Sequence, residues 1–205
     1  MRLYKFLSFI FSSFLKALFF VKVSGEENVP KSGACFVCCN HISNCDPVIL
    51  SVSVKRPLRY MAKKELFNIP VLKQVITALG AFPVDRGKAD IGAIKTSIAL
   101  LEDGEAVGIF PQGRRCRGIK PTADGVKSGT GMMVYRTQVD VVPVAITTKN
   151  YKVRLFKRIY VNIGKPIKFE EYNVGERSSA EYQKISKEIF ERIAALDEES
   201  SRYIK

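Results

Sequence analysis

Residues 34–54 read ACFVCCNHISNCDPVILSVSV, and the change of character along this stretch decides the fold class. Ala34 to Cys39 is an unbroken apolar run with the length of a buried strand. Asp46-Pro47 then supplies a helix start, an N-cap residue followed by proline at the first helical position, ahead of the run VILSVSV. A strand that passes through a polar loop into a helix is the repeating unit of an α/β domain. His41, the only histidine of the chain, falls in that loop.

The same alternation extends outward. Residues 64–79 read as helical despite Pro70, and residues 81–84 as a strand. Asp90 to Leu101 places Ile91, Ile94, Ile98 and Leu101 on one helical face, and Asp103-Gly104 ends it. Further strands are expected at 106–110, 139–147 and 153–163, with helices at 126–138 and 178–196. Upstream, VKVSGEENVPKSG reads as a strand and turn. The pattern predicts one α/β domain over residues 23–205, a central mixed sheet flanked by helices, with its sites on loops at strand ends.

Composition agrees with one folded unit. The chain has 205 residues, 46% hydrophobic and 26% charged, which argues against disorder and against a polytopic membrane protein. A net charge of +13 points to an anionic partner: nucleic acid, an acidic protein, a phosphorylated substrate or an anionic bilayer. Of five cysteines, Cys35, Cys38, Cys39 and Cys45 crowd around His41, a poor disulfide framework that suggests a reducing compartment. A zinc site on Cys35, Cys38 and Cys39 would need a fourth ligand from elsewhere, and cysteines set in a strand are more often inert core.

Residues 1–22, MRLYKFLSFIFSSFLKALFFVK, form a separate segment. Lys16 interrupts its apolar run well short of the ~20 residues a spanning helix needs. Wound as a helix, Arg2, Lys5, Ser8, Ser12, Ser13 and Lys16 share a sector and Phe and Leu cover most of the rest. That pattern suits a helix lying in the interface of an anionic bilayer. No small-residue cleavage site follows, which argues against a signal peptide.

Four loops carry candidate chemistry. His41 and Asp46 stand across one loop, so that Asp46 accepts Nδ1–H and leaves Nε2 to take a proton from a hydroxyl; the same Asp46 also suits a purely structural N-cap. GAFPVDRG places Arg86 just past a strand, where a guanidinium fork suits a phosphate. IFPQGRR repeats the arrangement at the next strand end with Gln112, Gly113, Arg114 and Arg115, and VVPVA contains Pro143, which suggests an edge, an end or a bulge.

In this order and spacing, NHISNCD, GAFPVDR, FPQGRR and VVPVAI resemble the blocks of the glycerolipid acyltransferases over about residues 20–165. His41 and Asp46 match the family's His, four residues, Asp motif, and Arg86 its phosphate-binding Arg. FPQGRR departs from the usual Phe-Pro-Glu-Gly-Thr-Arg, with Gln112 for Glu and Arg114 for Thr. The resemblance implies an α/β fold, monotopic membrane attachment and a thioester donor, acyl-coenzyme A or acyl carrier protein. It implies acyl transfer to the sn-2 hydroxyl of a lysophosphatidate, with His41 as general base oriented by Asp46. Arg86, Gln112, Gly113, Arg114, Arg115, Lys127 and Pro143 would bind the substrate. No metal or other cofactor is implied, and the expected location is peripheral on the cytoplasmic face of a membrane.

Other acceptors fit the same motifs: glycerol-3-phosphate, another lysophospholipid or a lyso-aminolipid. Two readings stand further off. A Cys39 or Cys45 nucleophile paired with His41 would make a hydrolase or acyl carrier. A basic nucleic-acid-binding protein is disfavoured, because the cations are not interleaved with exposed aromatics.

Overall fold

The computed structural model describes residues 18–78, 80–85 and 91–204. Residues 1–17, which hold most of the expected amphipathic helix, lie outside that range, as does Arg86. Seven strands form one sheet in the order β1-β7-β6-β2-β5-β3-β4. They are β1 (Val21–Ser24), β2 (Cys35–Cys39), β3 (Leu58–Lys63), β4 (Ala81–Val84), β5 (Ala106–Ile109), β6 (Val141–Thr148) and β7 (Ile159–Ile163). The run β4, β3, β5, β2, β6 is parallel throughout; β7 is antiparallel to β6, and β1 is parallel to β7. The sheet is therefore mixed, and its reversed strands sit together at one edge.

β2 is central and fully buried because both of its faces are covered. Cys35, Val37 and Cys39 face a layer built with α1 (Asp46–Ser53), whose Ile49 and Leu50 pack beneath them. Phe36 and Cys38 face the other layer, where Leu101 of α3 (Ile91–Glu102), Val134 of α4 (Gly129–Thr137) and Ile189 of α5 (Ser179–Ser201) meet. A strand sandwiched in this way has no solvent face to alternate toward, which is why its sequence is continuously apolar. The helices α4 and α5 touch so closely that a Cβ on Gly131 would strike the backbone carbonyl of Tyr182.

Several expectations are corrected. β3, Leu58–Lys63, is a strand that the apolar pattern of the sequence does not mark. Residues 64–79 divide into a 3-10 turn (Lys64–Asn68) and α2 (Pro70–Ala78), which Pro70 begins rather than interrupts. Residues 153–158 are a loop, and β7 starts only at Ile159. The last helix runs on to Ser201, with Ser178 Oγ accepting the Glu181 N–H at its start. Pro143 lies in an interior strand, neither an edge nor an end. Its missing N–H falls where pairing with β7 lapses, between Val144↔Ile163 and the bridge Val141↔Ile167, so two residues face three in a bulge.

The parallel order puts the carboxyl ends of β2, β3, β4, β5 and β6 at one end of the sheet. The loops after β2 and β5 meet there because those strands are neighbours, although 71 residues separate His41 from Gln112. β4 also ends there, at Val84, two residues before Arg86.

Candidate active site

The loop leaving β2 is held from its first residue. Asn40 is fully buried, and its side-chain amide continues the sheet: Nδ2 donates to the Ile146 carbonyl at 2.9 Å and Oδ1 accepts the Ile146 N–H at 2.8 Å. A buried amide needs such partners, since an unmet one costs about 1–3 kcal/mol. The pairing fixes where the chain leaves the strand, and therefore where His41 begins.

His41 Nδ1–H donates to Asp46 Oδ2 at 2.7 Å. The same oxygen accepts the backbone N–H groups of Ile42 at 2.6 Å and Ser43 at 2.7 Å. An oxygen already accepting two amide hydrogens has no proton to offer, so the proton of the pair resides on Nδ1 and Nε2 is the basic nitrogen. Nε2 makes no hydrogen bond among the described residues. Asp46 opens α1 with Cys45 as the N-cap residue, and its side chain turns back into the loop instead of capping the helix. The expected cap is thus a loop clasp.

The loop after β5 grips His41 from three sides. Gln112 Oε1 accepts the His41 backbone N–H at 2.8 Å, and the Cys116 N–H donates to the His41 carbonyl at 2.7 Å. The Phe110 ring stacks on the imidazole, with centroids 4.3 Å apart and planes 24° off parallel. Behind Phe110 lies Tyr60, which crosses β5 over Gly108; a Cβ there would collide with the tyrosine ring. His41 therefore has a fixed backbone, a fixed ring plane and a fixed tautomer.

The loop after β5 also carries exposed cations. Gly113, at φ 62°, takes a left-handed turn that favours glycine, and the stem of Lys127 lies against it. The Lys127 N–H donates to the Pro111 carbonyl at 3.1 Å. Arg114, Arg115 and Lys127 are exposed and pair with no carboxylate among the described residues. The fold thus brings His41, Asp46, Gln112, Gly113, Arg114, Arg115 and Lys127 into one region. Pro143 is not among them; it is buried in β6, level with Cys38.

No cysteine sulfur hydrogen-bonds the imidazole among the described residues. All five are free. Burial, and then the charge on Asp46, push the Cys39 thiol well above its ordinary range, and its sulfur rests against Asn40 instead of His41. It is held as a neutral thiol, not a thiolate nucleophile. Sequence reasoning missed Asn40, Phe110 and Cys116. For Asn40 alone there was a signal, a polar amide directly after a buried strand.

An imidazole oriented by a carboxylate at the carboxyl ends of parallel strands, with exposed cations on the neighbouring loop, has the layout of a candidate general-base site. A family model described as Acyltransferase matches residues 20–147. The chain is 33% identical over 184 residues to the 1-acyl-sn-glycerol-3-phosphate acyltransferase of Bacillus subtilis, covering 87% of this chain and 90% of that protein. It is 32% identical over 149 residues to the 1-acyl-sn-glycerol-3-phosphate acyltransferase of Borreliella burgdorferi, covering 69% of this chain and 56% of that protein. Among solved structures it resembles the 1-acyl-sn-glycerophosphate (LPA) acyltransferase PlsC of Thermotoga maritima. The TM-score is 0.64 at 28% identity, over 90% of this chain and 74% of that one. The chain belongs to the Acyltransferase family, and it is an O-acyltransferase.

Proposed function

We propose that the enzyme transfers a fatty acyl group from a thioester to the sn-2 hydroxyl of 1-acyl-glycerol-3-phosphate, giving phosphatidate. The observation that carries this reading is the bond from His41 Nδ1–H to Asp46 Oδ2, which leaves Nε2 as the base. Nε2 takes the hydroxyl proton and the oxygen attacks the thioester carbonyl. The tetrahedral intermediate expels the thiolate, which recovers the proton from the imidazolium, while Asp46 stabilises the cation in between. The relatives' activity on a 1-acyl-glycerol phosphate supports the acceptor.

Arg114, Arg115 and Lys127, joined by Arg86, hold the acceptor phosphate and turn its binding energy into orientation of the hydroxyl. The donor is acyl-coenzyme A or an acyl carrier protein, both anionic and suited to a chain of net charge +13. Among the described residues no helix is long and apolar enough to cross a membrane. Attachment through residues 1–22 to the cytoplasmic face of an anionic bilayer is part of this proposal, and the basic, Phe- and Leu-rich sequence of that segment supports it. The test is purified enzyme with labelled acyl donor against lysophosphatidate, glycerol-3-phosphate and lysophosphatidylcholine, with products separated by chromatography. Transfer to lysophosphatidate above the others is expected; preference for another acceptor would displace this reading.

A further inference from the structure

We infer that the end of the sheet carrying His41 is a docking face for an anionic phospholipid bilayer, with residues 154–158 as its inserting tip. Six of the exposed large apolar side chains gather at one end of the sheet; the others among the described residues are Val75, Val174 and Tyr203. Phe20, Ile69, Val71, Ile119, Leu155 and Phe156 all belong to segments at the carboxyl ends of the parallel strands. They precede β1, follow β3, follow β5, or lie between β6 and β7. Scattered exposed apolar residues need no explanation, but a set gathered at one end of a fold marks an interaction surface.

The connection from β6 to β7 is the sharpest case. From residue 149 to residue 158 it reads KNYKVRLFKR, five cations without an acid. Leu155 and Phe156 stand in solvent at its tip, Phe156 65% exposed at φ 57°. A bulky side chain in the left-handed region is a strained choice, and nothing in the core requires it. Arg154, Lys157 and Arg158 flank the tip, are exposed, and pair with no carboxylate among the described residues. Apolar tips between cations match the interface of an anionic bilayer, acyl chains beneath phosphates.

Two further observations fix the occupant. The Phe156 N–H donates to the Leu18 carbonyl at 3.1 Å and the Ile159 N–H to the Phe20 carbonyl at 3.4 Å. The described chain therefore begins beside this tip, and the sequence ahead of it, MRLYKFLSFIFSSFLKA, combines cations with Phe and Leu. The connections at the opposite end of the sheet carry Glu26, Glu27, Asp103, Glu105, Asp140 and Glu171, with Glu26, Glu105 and Asp140 paired to Lys55, Arg59 and Lys168, so acids and bases are mixed there where the tip carries cations alone. A docked bilayer thus meets the His41 end, where a lipid acceptor arrives without leaving it.

The chain contains no tryptophan, so F156W and V174W each give the full-length protein a single tryptophan, excited selectively over its eight tyrosines at the red edge. Val174 is also exposed, at the opposite end. On phosphatidylglycerol vesicles the F156W emission should shift to the blue and be quenched by brominated acyl chains, while V174W should not respond; L155W repeats the test should F156W not fold. F156N, which suits the left-handed backbone, should weaken vesicle binding by about tenfold. An unmoved F156W, an equal response from V174W, or undiminished binding by F156N overturns the inference. The docking face rests on the lipid-acceptor reading only for its purpose. The vesicle measurements contain no acyl donor, so insertion by a protein inactive on lysophosphatidate would refute that reading alone. Transfer to detergent-dispersed acceptor with F156W unmoved would refute the docking face alone.

Discussion

Asp46→Asn separates the charge of Asp46 from its geometry. Two backbone N–H groups and Nδ1–H of His41 converge on Oδ2, whereas Oδ1 is buried with no hydrogen-bond partner among the described residues. An asparagine must therefore turn its carbonyl oxygen toward the three donors and its NH₂ into the place of Oδ1. The imidazole keeps its tautomer and loses only the negative charge. At a charge separation of about 4 Å and an effective dielectric of about 20, that charge is worth about 4 kcal/mol to the imidazolium. Discounted for the amide dipole that remains, the expected loss in kcat is about 10²–10³-fold, with the acceptor KM unchanged. The buried NH₂ should cost about 1–3 kcal/mol of stability. Steady-state kinetics at saturating donor, together with denaturant unfolding, measure both. A kcat within tenfold of the parent would refute the reasoning. A loss beyond 10⁴-fold would mean that the amide had flipped and the tautomer with it, contradicting the clasp at Oδ2.

Other outcomes follow from the same structure. Gln112→Leu strips the His41 N–H of its acceptor and should cost about 1–3 kcal/mol of stability with a fall in kcat, whereas Gln112→Glu keeps the oxygen and should retain transfer; both are read by unfolding and initial rates. Arg115→Ala should raise the acceptor KM more than it lowers kcat, and Arg115→Lys should recover part of the loss because the fork is missing. Asp197, buried against Thr147 and Tyr151, has its carboxyl raised by burial, with those hydrogen bonds opposing. The folded state thus keeps the proton where the unfolded chain has shed it, so Asp197 costs stability as pH rises above the ordinary carboxylate value of about 4. Asp197→Asn should gain on the parent between acid and neutral pH, as seen by denaturant unfolding at each pH.

The sequence reached the parts of this fold that obey one local rule. ACFVCC was legible because a doubly covered strand has no polar face, and the His41–Asp46 bond because both partners lie in one loop. β3 escaped because LRYMAK mixes Arg59 and Lys63 among apolar residues; only the Arg59–Glu105 pair and the Tyr60 ring give it an inside and an outside. Residues 153–158 have the composition of a strand yet form a loop, because composition does not distinguish Leu155 and Phe156 in solvent from the same residues in a core. The bond from the His41 N–H to Gln112 Oε1 is hidden in the sequence by a separation of 71 residues, which only the pairing of β2 with β5 closes.

The central claim is that Nε2 of His41 is the base, and the chain has no second histidine to replace it. The direct test is the initial rate of phosphatidate formation from labelled acyl donor and lysophosphatidate, parent against a His41→Ala variant shown to be folded by its unfolding transition. The account predicts a loss of at least about 10²-fold, the low end of a general-base contribution. A folded His41→Ala enzyme forming phosphatidate at a rate near the parent's would contradict it.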